Sequence, residues 1–167
     1  DLVPAIRCRR ARLDARAVAW AMMLVERVAA LHEVDLFSAV PGRVLAAVAA
    51  TAEEVTVEPG STFIEHGAVE DCLYVVVSGR VRVHRGSQVL GEFGAGSSVG
   101  ELAVLVPGPR SASVTAVAQT LLLRLRKAVL DELLADRPEL ANEVIRALVV
   151  RLRARADDGT DRSAALE

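Results

Sequence analysis

The chain has few aromatic residues, few cysteines and a single lysine. Five of its 167 residues are aromatic, which excludes an extended stacking platform for single-stranded nucleic acid. Two cysteines are too few for a disulfide-stabilised scaffold. A net charge of -2 argues against a protein that coats nucleic acid. Runs without charge, such as residues 17–25, are well short of the roughly 20 apolar residues that cross a bilayer.

The composition is that of a folded, soluble domain. Hydrophobic residues make up 52% of the chain and charged residues 25%, which excludes intrinsic disorder. The length suits one domain of ordinary size with a helical extension. The chain begins at Asp1 without a methionine, so we expect it to be part of a longer protein, with Leu166–Glu167 derived from a vector.

Helical patterns lie at both ends of the chain. Apolar residues recur every three or four positions over Leu13–Val34, which predicts an amphipathic helix. A second, shorter helix is expected over Arg43–Ala50, after a Pro-Gly break. Near the other end, the pattern predicts helices over Lys127–Ala135 and from Pro138 to about Ala156.

The middle of the chain has the residue pattern of β-strands. Between residues 52 and 126, short Val-rich runs are separated by frequent glycines, which indicates many short strands joined by tight turns. We therefore expect an antiparallel sandwich or barrel. The strongest strand candidates are Glu54–Val57, Leu73–Val77, Val81–His84, Ser113–Val117 and Thr120–Leu125.

One segment, residues 99–114, interrupts the strand pattern. Gly100 and Glu101 precede a short apolar run, which predicts a helical turn whose first amides are free to bind an anion. Arg110 follows nine residues after Glu101, where its guanidinium can reach the same anion. Ser111 adds a hydroxyl and an N–H. A cation, helix-start donors and a carboxylate suit a phosphate that lies beside a hydroxyl, as in a sugar phosphate.

The sequence Val99-Gly100-Glu101-Leu102-Ala103-Val104-Leu105, together with Pro109-Arg110-Ser111-Ala112-Ser113-Val114, resembles the phosphate-binding cassette of the cyclic nucleotide-binding domain family. The resemblance extends over residues 35–155. It implies an α+β, mainly β fold: an eight-stranded antiparallel β-roll of the double-stranded β-helix or jelly-roll type, flanked by N-terminal and C-terminal helices. We accordingly expect an N-terminal helical extension at 1–34, the binding domain at 35–156 and a flexible tail at 157–167.

The resemblance also implies roles for individual residues. Glu101 would hold the ribose 2′-hydroxyl, and Arg110 would pair with the exocyclic oxygens of the cyclic phosphate. Gly100, Leu102 and Ala103 would supply backbone contacts, and Ser111 would donate to the phosphate. The remaining expected ligand-lining residues are three on the β-roll and one on the last helix: Val83, Leu90, Val99 and Arg151.

The function that follows from the resemblance is regulatory rather than enzymatic. We expect the chain to bind cAMP, or else cGMP, with no metal, and to pass a conformational change through its C-terminal helices to an effector region elsewhere in a longer protein. The expected location is the cytoplasm, or the cytoplasmic part of a membrane protein. Monomer and homodimer stay equally open.

Three alternatives remain open. Glu101 and Arg110 could form an ion pair that only stabilises a turn. The chain could be a dimerisation module with a vestigial cassette, or the sensor half of a truncated transcription factor. No catalytic constellation is recognisable, and the three histidines (His32, His66 and His84) lack metal-ligand spacing. Of the cysteines, Cys72 is expected in the core.

Overall fold

A computed structural model describes residues 22–38, 40–101 and 108–136, with isolated positions at 138, 142, 145, 146 and 149. Predictions that concern residues 1–21, and most of those beyond 136, lie outside the described residues. They include the start of the first predicted helix, the last helix and the tail.

Three helices flank the strands in the described part of the chain. Helix α1 is Leu24–Glu33, α2 is Gly42–Thr51 and α3 is Lys127–Asp136. A salt bridge fastens α1 to the strands, since Arg27 Nη2 lies 2.7 Å from Glu54 Oε1 and Arg27 Nη1 donates to the Ala52 carbonyl at 3.0 Å.

Eight strands are seen among the described residues, and they form two antiparallel four-stranded sheets with the orders β1-β8-β3-β6 and β2-β7-β4-β5. The eight-stranded antiparallel roll expected from the sequence is therefore present. The strands are β1 Glu53–Val57, β2 Thr62–Ile64, β3 Cys72–Ser78, β4 Arg80–Arg85, β5 Gln88–Gly94, β6 Ser98–Val99, β7 Ser113–Ala116 and β8 Thr120–Arg126.

Five of these strands coincide with the predicted ones to within two residues at each end. The pattern missed β2, β5 and β6. Strands β2 and β6 have three and two residues, too few for an alternation to be recognised. Strand β5 contains Gly91 and Gly94 and has a bulge opposite Val83 and His84, and glycines of this kind normally indicate a turn rather than a strand.

The central strands of the first sheet, β3 and β8, are buried on both faces because their residues alternate between two cores. One core packs α1, α2 and α3 against Leu73, Val75, Leu123 and Leu125. The other fills the space between the two sheets and includes Tyr74, Val76, Leu122, Val81 and Val114. Strand β3 therefore contributes consecutive residues to opposite cores.

Within the described residues, no helix has both the length and the apolar composition that a membrane span requires.

Candidate nucleotide-binding site

The second half of the cassette is held against the loop between β2 and β3 through residues 109 and 110. Two backbone hydrogen bonds, each of 2.8 Å, join Gly67 N to Arg110 O and Arg110 N to Ala68 O. An isolated bridge between Val69 and Pro109 continues this pairing. The backbone of Arg110 is thus fixed on both sides of its Cα, and its side chain is directed from a rigid base.

The Arg110 guanidinium is buried at the end of the roll. The residue is only 5% exposed. Its Nη1 donates to the Gly100 carbonyl at 3.0 Å, and its Nη2 donates to the Cys72 carbonyl at 2.5 Å and lies 3.5 Å from Glu70 Oε2. Its Nε is buried and has no hydrogen-bond partner among the described residues. A buried cation with an unused donor is what an incoming anion needs.

Gly100 makes the close approach of Arg110 possible. Its φ is +81°, a left-handed conformation that is unfavourable for residues other than glycine. A Cβ built on Gly100 would lie 2.4 Å from Arg110 Nη1 and 3.2 Å from the Cys72 carbonyl oxygen. The glycine is required both by its backbone angle and by the guanidinium packed against it.

Glu101 follows Gly100 directly and has a helical conformation. It is half-buried, and its Oε1 accepts a hydrogen bond from Ser98 Oγ at 2.5 Å. Arg110 contacts Glu70, and Glu101 contacts Ser98. The carboxylate within ion-pair distance of the Arg110 guanidinium is that of Glu70, at 3.5 Å.

Ser111 is exposed, and its carbonyl is held by a second arginine. Arg85, at the end of β4, donates to Ser111 O from Nε at 3.1 Å and from Nη2 at 2.7 Å. Sequence reasoning did not find this contact, because Arg85 reads as one more polar residue at a strand end.

The predicted base-lining residues occupy three different environments. Val99 is 6% exposed and packs inside the roll, and Val83 is half-buried against the same core. Leu90, in contrast, is 51% exposed and lies at the β5 bulge. The structure brings Val83 and Val99 to the interior of the roll but leaves Leu90 largely in solvent.

Phe93 shares the inner face of the roll, and the sequence pattern did not single it out. It lies directly opposite Val81 across the β4–β5 pair, and Gly91 lies opposite Val83, so these four residues share one face. The Phe93 ring lies over Gly91, 3.2 Å from where a Cβ on that glycine would be, yet Phe93 is 41% exposed. Recognising β5 as a strand would have indicated this residue.

Glu70 and Cys72 are also part of the site. Glu70 lies two residues before β3, and Cys72 is the first residue of the strand and is fully buried, as expected. Their contacts with Arg110 join residues 40 and 38 positions apart, and no local motif indicates such a pairing.

Three predicted site residues lie outside the described part of the chain: Leu102, Ala103 and Arg151. The described residues hold no group of three or more His, Cys, Asp or Glu side chains suited to a metal ion.

The chain matches the family model for the cyclic nucleotide-binding domain over residues 54–137. It is also 30% identical over 128 residues to a CRP-like cAMP-activated global transcriptional regulator of Mycobacterium tuberculosis, covering 74% of this chain and 57% of that protein. The chain therefore spans little more than half the length of that relative.

Solved structures give the same result. The N-terminal domain of a transcriptional regulator from Streptomyces coelicolor A3(2) is 36% identical, with a TM-score of 0.70 over 77% of this chain and 94% of that one. The regulatory domain of Toxoplasma gondii PKA, crystallised with cAMP, is 28% identical, with a TM-score of 0.62 over 66% of this chain and 44% of that one. With its β-roll, its cassette and its family match, this chain belongs to the cyclic nucleotide-binding domain family.

Proposed function

We propose that this chain binds a 3′,5′-cyclic nucleotide, with cAMP preferred to cGMP, and that Arg110 and Glu101 anchor the ligand. Arg110 pairs with the exocyclic phosphate oxygens, and Glu101 accepts a hydrogen bond from the ribose 2′-hydroxyl. Gly100, Leu102, Ala103 and Ser111 supply the remaining contacts to the phosphate and ribose.

The observation that carries this proposal is the state of the Arg110 guanidinium. It is buried beside neutral carbonyl groups, with a single carboxylate at 3.5 Å and with Nε unused among the described residues. A phosphate supplies the missing acceptor and a compensating charge in one group. Glu101, next to Gly100 in sequence, places a hydroxyl acceptor beside the same anion.

The preference for cAMP draws on the relatives. The Mycobacterium tuberculosis regulator is described as cAMP-activated, and the Toxoplasma gondii domain was crystallised with cAMP. Ser111 does not by itself decide which base is bound. For the base we propose an apolar wall of Val83 and Val99, to which Phe93 is added.

The decisive measurement is isothermal titration of the chain with cAMP, cGMP and 5′-AMP. We expect cAMP to bind more tightly than cGMP, and 5′-AMP to bind weakly because it lacks the cyclic phosphodiester. If neither cyclic nucleotide binds below the millimolar range, the proposal is wrong. Light scattering with and without ligand then tests the alternative, a dimerisation module that is indifferent to nucleotide.

Variants of Arg110 test the residue assignment. Removing the buried cation should weaken cAMP binding by about 2 kcal/mol or more, which is roughly 30-fold. Arg110→Lys keeps the positive charge but loses the planar guanidinium with its paired N–H donors. It provides a second test if Arg110→Ala fails to fold. Arg82→Ala is a matched control, because Arg82 forms its salt bridge with Glu92 on the solvent side of the roll.

We further propose that binding shifts the equilibrium between positions of the C-terminal helices and so acts on an effector region of a longer protein. Helix α3 is the described part of this route, and it packs on the helical core through Leu130. The helix expected from Pro138, with Arg151, would close over the base.

A further inference from the structure

Arg85 forms a contact that the proposed anchoring of the phosphate does not use. Its guanidinium donates twice to a single acceptor, the carbonyl of Ser111, at 3.1 and 2.7 Å. Arg85 ends β4 and pairs with Gln88 across a two-residue turn at the tip of the β4–β5 hairpin. The contact therefore ties the tip of this hairpin to the end of the cassette.

The two peptide groups that follow Arg110 are fixed by their carbonyls. Gly67 N holds the carbonyl of Arg110 at 2.8 Å, and Arg85 holds the carbonyl of Ser111. A peptide group is planar and trans, so its N–H points away from its C=O. Holding these two carbonyls therefore sets the directions of the N–H groups of Ser111 and Ala112.

We propose that Arg85 is a positioning residue of the phosphate site, and this inference rests on the proposed function. By holding Ser111 O, it sets the direction of the Ala112 N–H and limits the rotation of the Ser111 backbone that carries the hydroxyl. The donors beside Arg110 are then ordered before the ligand arrives, so less conformational entropy is lost on binding. Arg85 acts through Ser111 and makes no contact with the phosphate itself.

The geometry distinguishes positioning from simple charge. The paired N–H donors that Arg85 directs at one oxygen belong to a planar guanidinium. A lysine ammonium retains the charge but lacks this pair of donors. If Arg85 acted only as a distant positive charge, Arg85→Lys would bind cAMP as the wild type does. Positioning predicts that Arg85→Lys and Arg85→Ala are weakened to a similar degree.

The test uses cAMP and the two phosphorothioate diastereomers of cAMP, in which sulfur replaces one or the other exocyclic oxygen. We expect Arg85→Ala to bind cAMP about tenfold more weakly than the wild type. We also expect the ratio of the two diastereomer affinities to change by about threefold or more, because only one oxygen faces the donors that Arg85 orients. Arg82→Ala is the control, since Arg82 lies on the same strand and makes a similar two-donor contact, but with Glu92.

Three results would overturn the inference: wild-type affinity in Arg85→Ala, an equal loss for both diastereomers, or full recovery in Arg85→Lys. Thermal unfolding of each variant checks whether the fold is intact, which we expect because Arg85 is exposed. A wild-type chain that binds no cyclic nucleotide overturns the proposed function instead. A wild type that binds, with Arg85 variants that bind equally well, overturns only the role of Arg85.

Discussion

Arg110 and Gly100 are fitted to each other. The guanidinium Nη1 donates to the Gly100 carbonyl at 3.0 Å, and a Cβ on Gly100 would lie 2.4 Å from that same nitrogen. The left-handed backbone of Gly100 and the position of Arg110 therefore depend on each other. Their contact joins the start of the cassette, at Gly100, to its second half, at Arg110.

Substituting alanine for Gly100 should damage both the fold and the site. The positive φ costs about 1–3 kcal/mol of unfolding free energy for a non-glycine residue, and the methyl group displaces Arg110. Gly60→Ala is the matched control, since Gly60 has a φ of +82° but no atom within 4 Å of its Cβ position. We expect similar backbone strain in both variants and loss of cAMP binding only in Gly100→Ala. Titration calorimetry and thermal unfolding measure the two effects, and equal binding by both variants would contradict the fitted arrangement.

Removing the negative charge of Glu70 should destabilise the empty site more than the occupied one. Arg110 keeps its carbonyl acceptors in Glu70→Gln but loses the carboxylate at 3.5 Å. We expect the free energy of unfolding to fall by about 1–2 kcal/mol. A bound phosphate restores a negative charge beside Arg110, so saturating cAMP should raise the melting temperature by more in Glu70→Gln than in the wild type. A smaller ligand-induced rise in the variant would show that Glu70 supports phosphate binding rather than substituting for it.

We expect Phe93 to contribute more than Leu90 to binding of the base. The ring of Phe93 shares the inner face with Val83, whereas Leu90 is 51% exposed at a bulge. We expect Phe93→Ala to weaken cAMP binding by about fivefold to tenfold through lost apolar contact and to change the ratio of cAMP to cGMP affinity. Leu90→Ala should have a smaller effect. Val89→Ala, at a 54% exposed position of the same strand, is the control. A larger loss in Leu90→Ala would make Leu90, and not Phe93, the residue of β5 that contacts the base.

The stability of the first sheet should depend on the charge of Glu53. Burial raises the pKa of Glu53, but hydrogen bonds and positive charge from Arg124 and Arg126 outweigh it and hold the pKa below its usual value of 4.5. A carboxylate with a depressed pKa stabilises the folded state above its unfolded pKa, and this contribution is lost as the pH falls through the folded value. We therefore expect the unfolding free energy of the wild type to fall more steeply below pH 4.5 than that of Glu53→Gln. Denaturant titrations between neutral and acidic pH measure the difference, and parallel curves would contradict it.

The sequence predicts those parts of the proposed site that are local in the chain. The cassette from Gly100 to Ser111 is a continuous motif, so its glycine, glutamate and arginine could be assigned from the order of residues alone. The partners of Arg110 could not, because Glu70 and Cys72 reach it only through the pairing of the β2–β3 loop with residues 109–110. Periodicity likewise predicted the longer strands, but the glycines of β5 masked Phe93, since a strand pattern interrupted by glycine resembles a loop.

Strand β3 lies between the helical core and the core inside the roll. Leu73 and Val75 face the helices, while Cys72, Tyr74 and Val76 face the inside of the roll, and all five are less than 5% exposed. The carbonyl of the first of them accepts a hydrogen bond from Arg110. If a ligand displaces this strand, we expect the helical side to move with it, because no other layer lies between the two cores. Residues 72–76 have no exposed face on which substitutions would be neutral. In a saturation library, intolerance should run unbroken from 72 to 76, whereas β4, with one face in water, should tolerate substitutions at alternate positions.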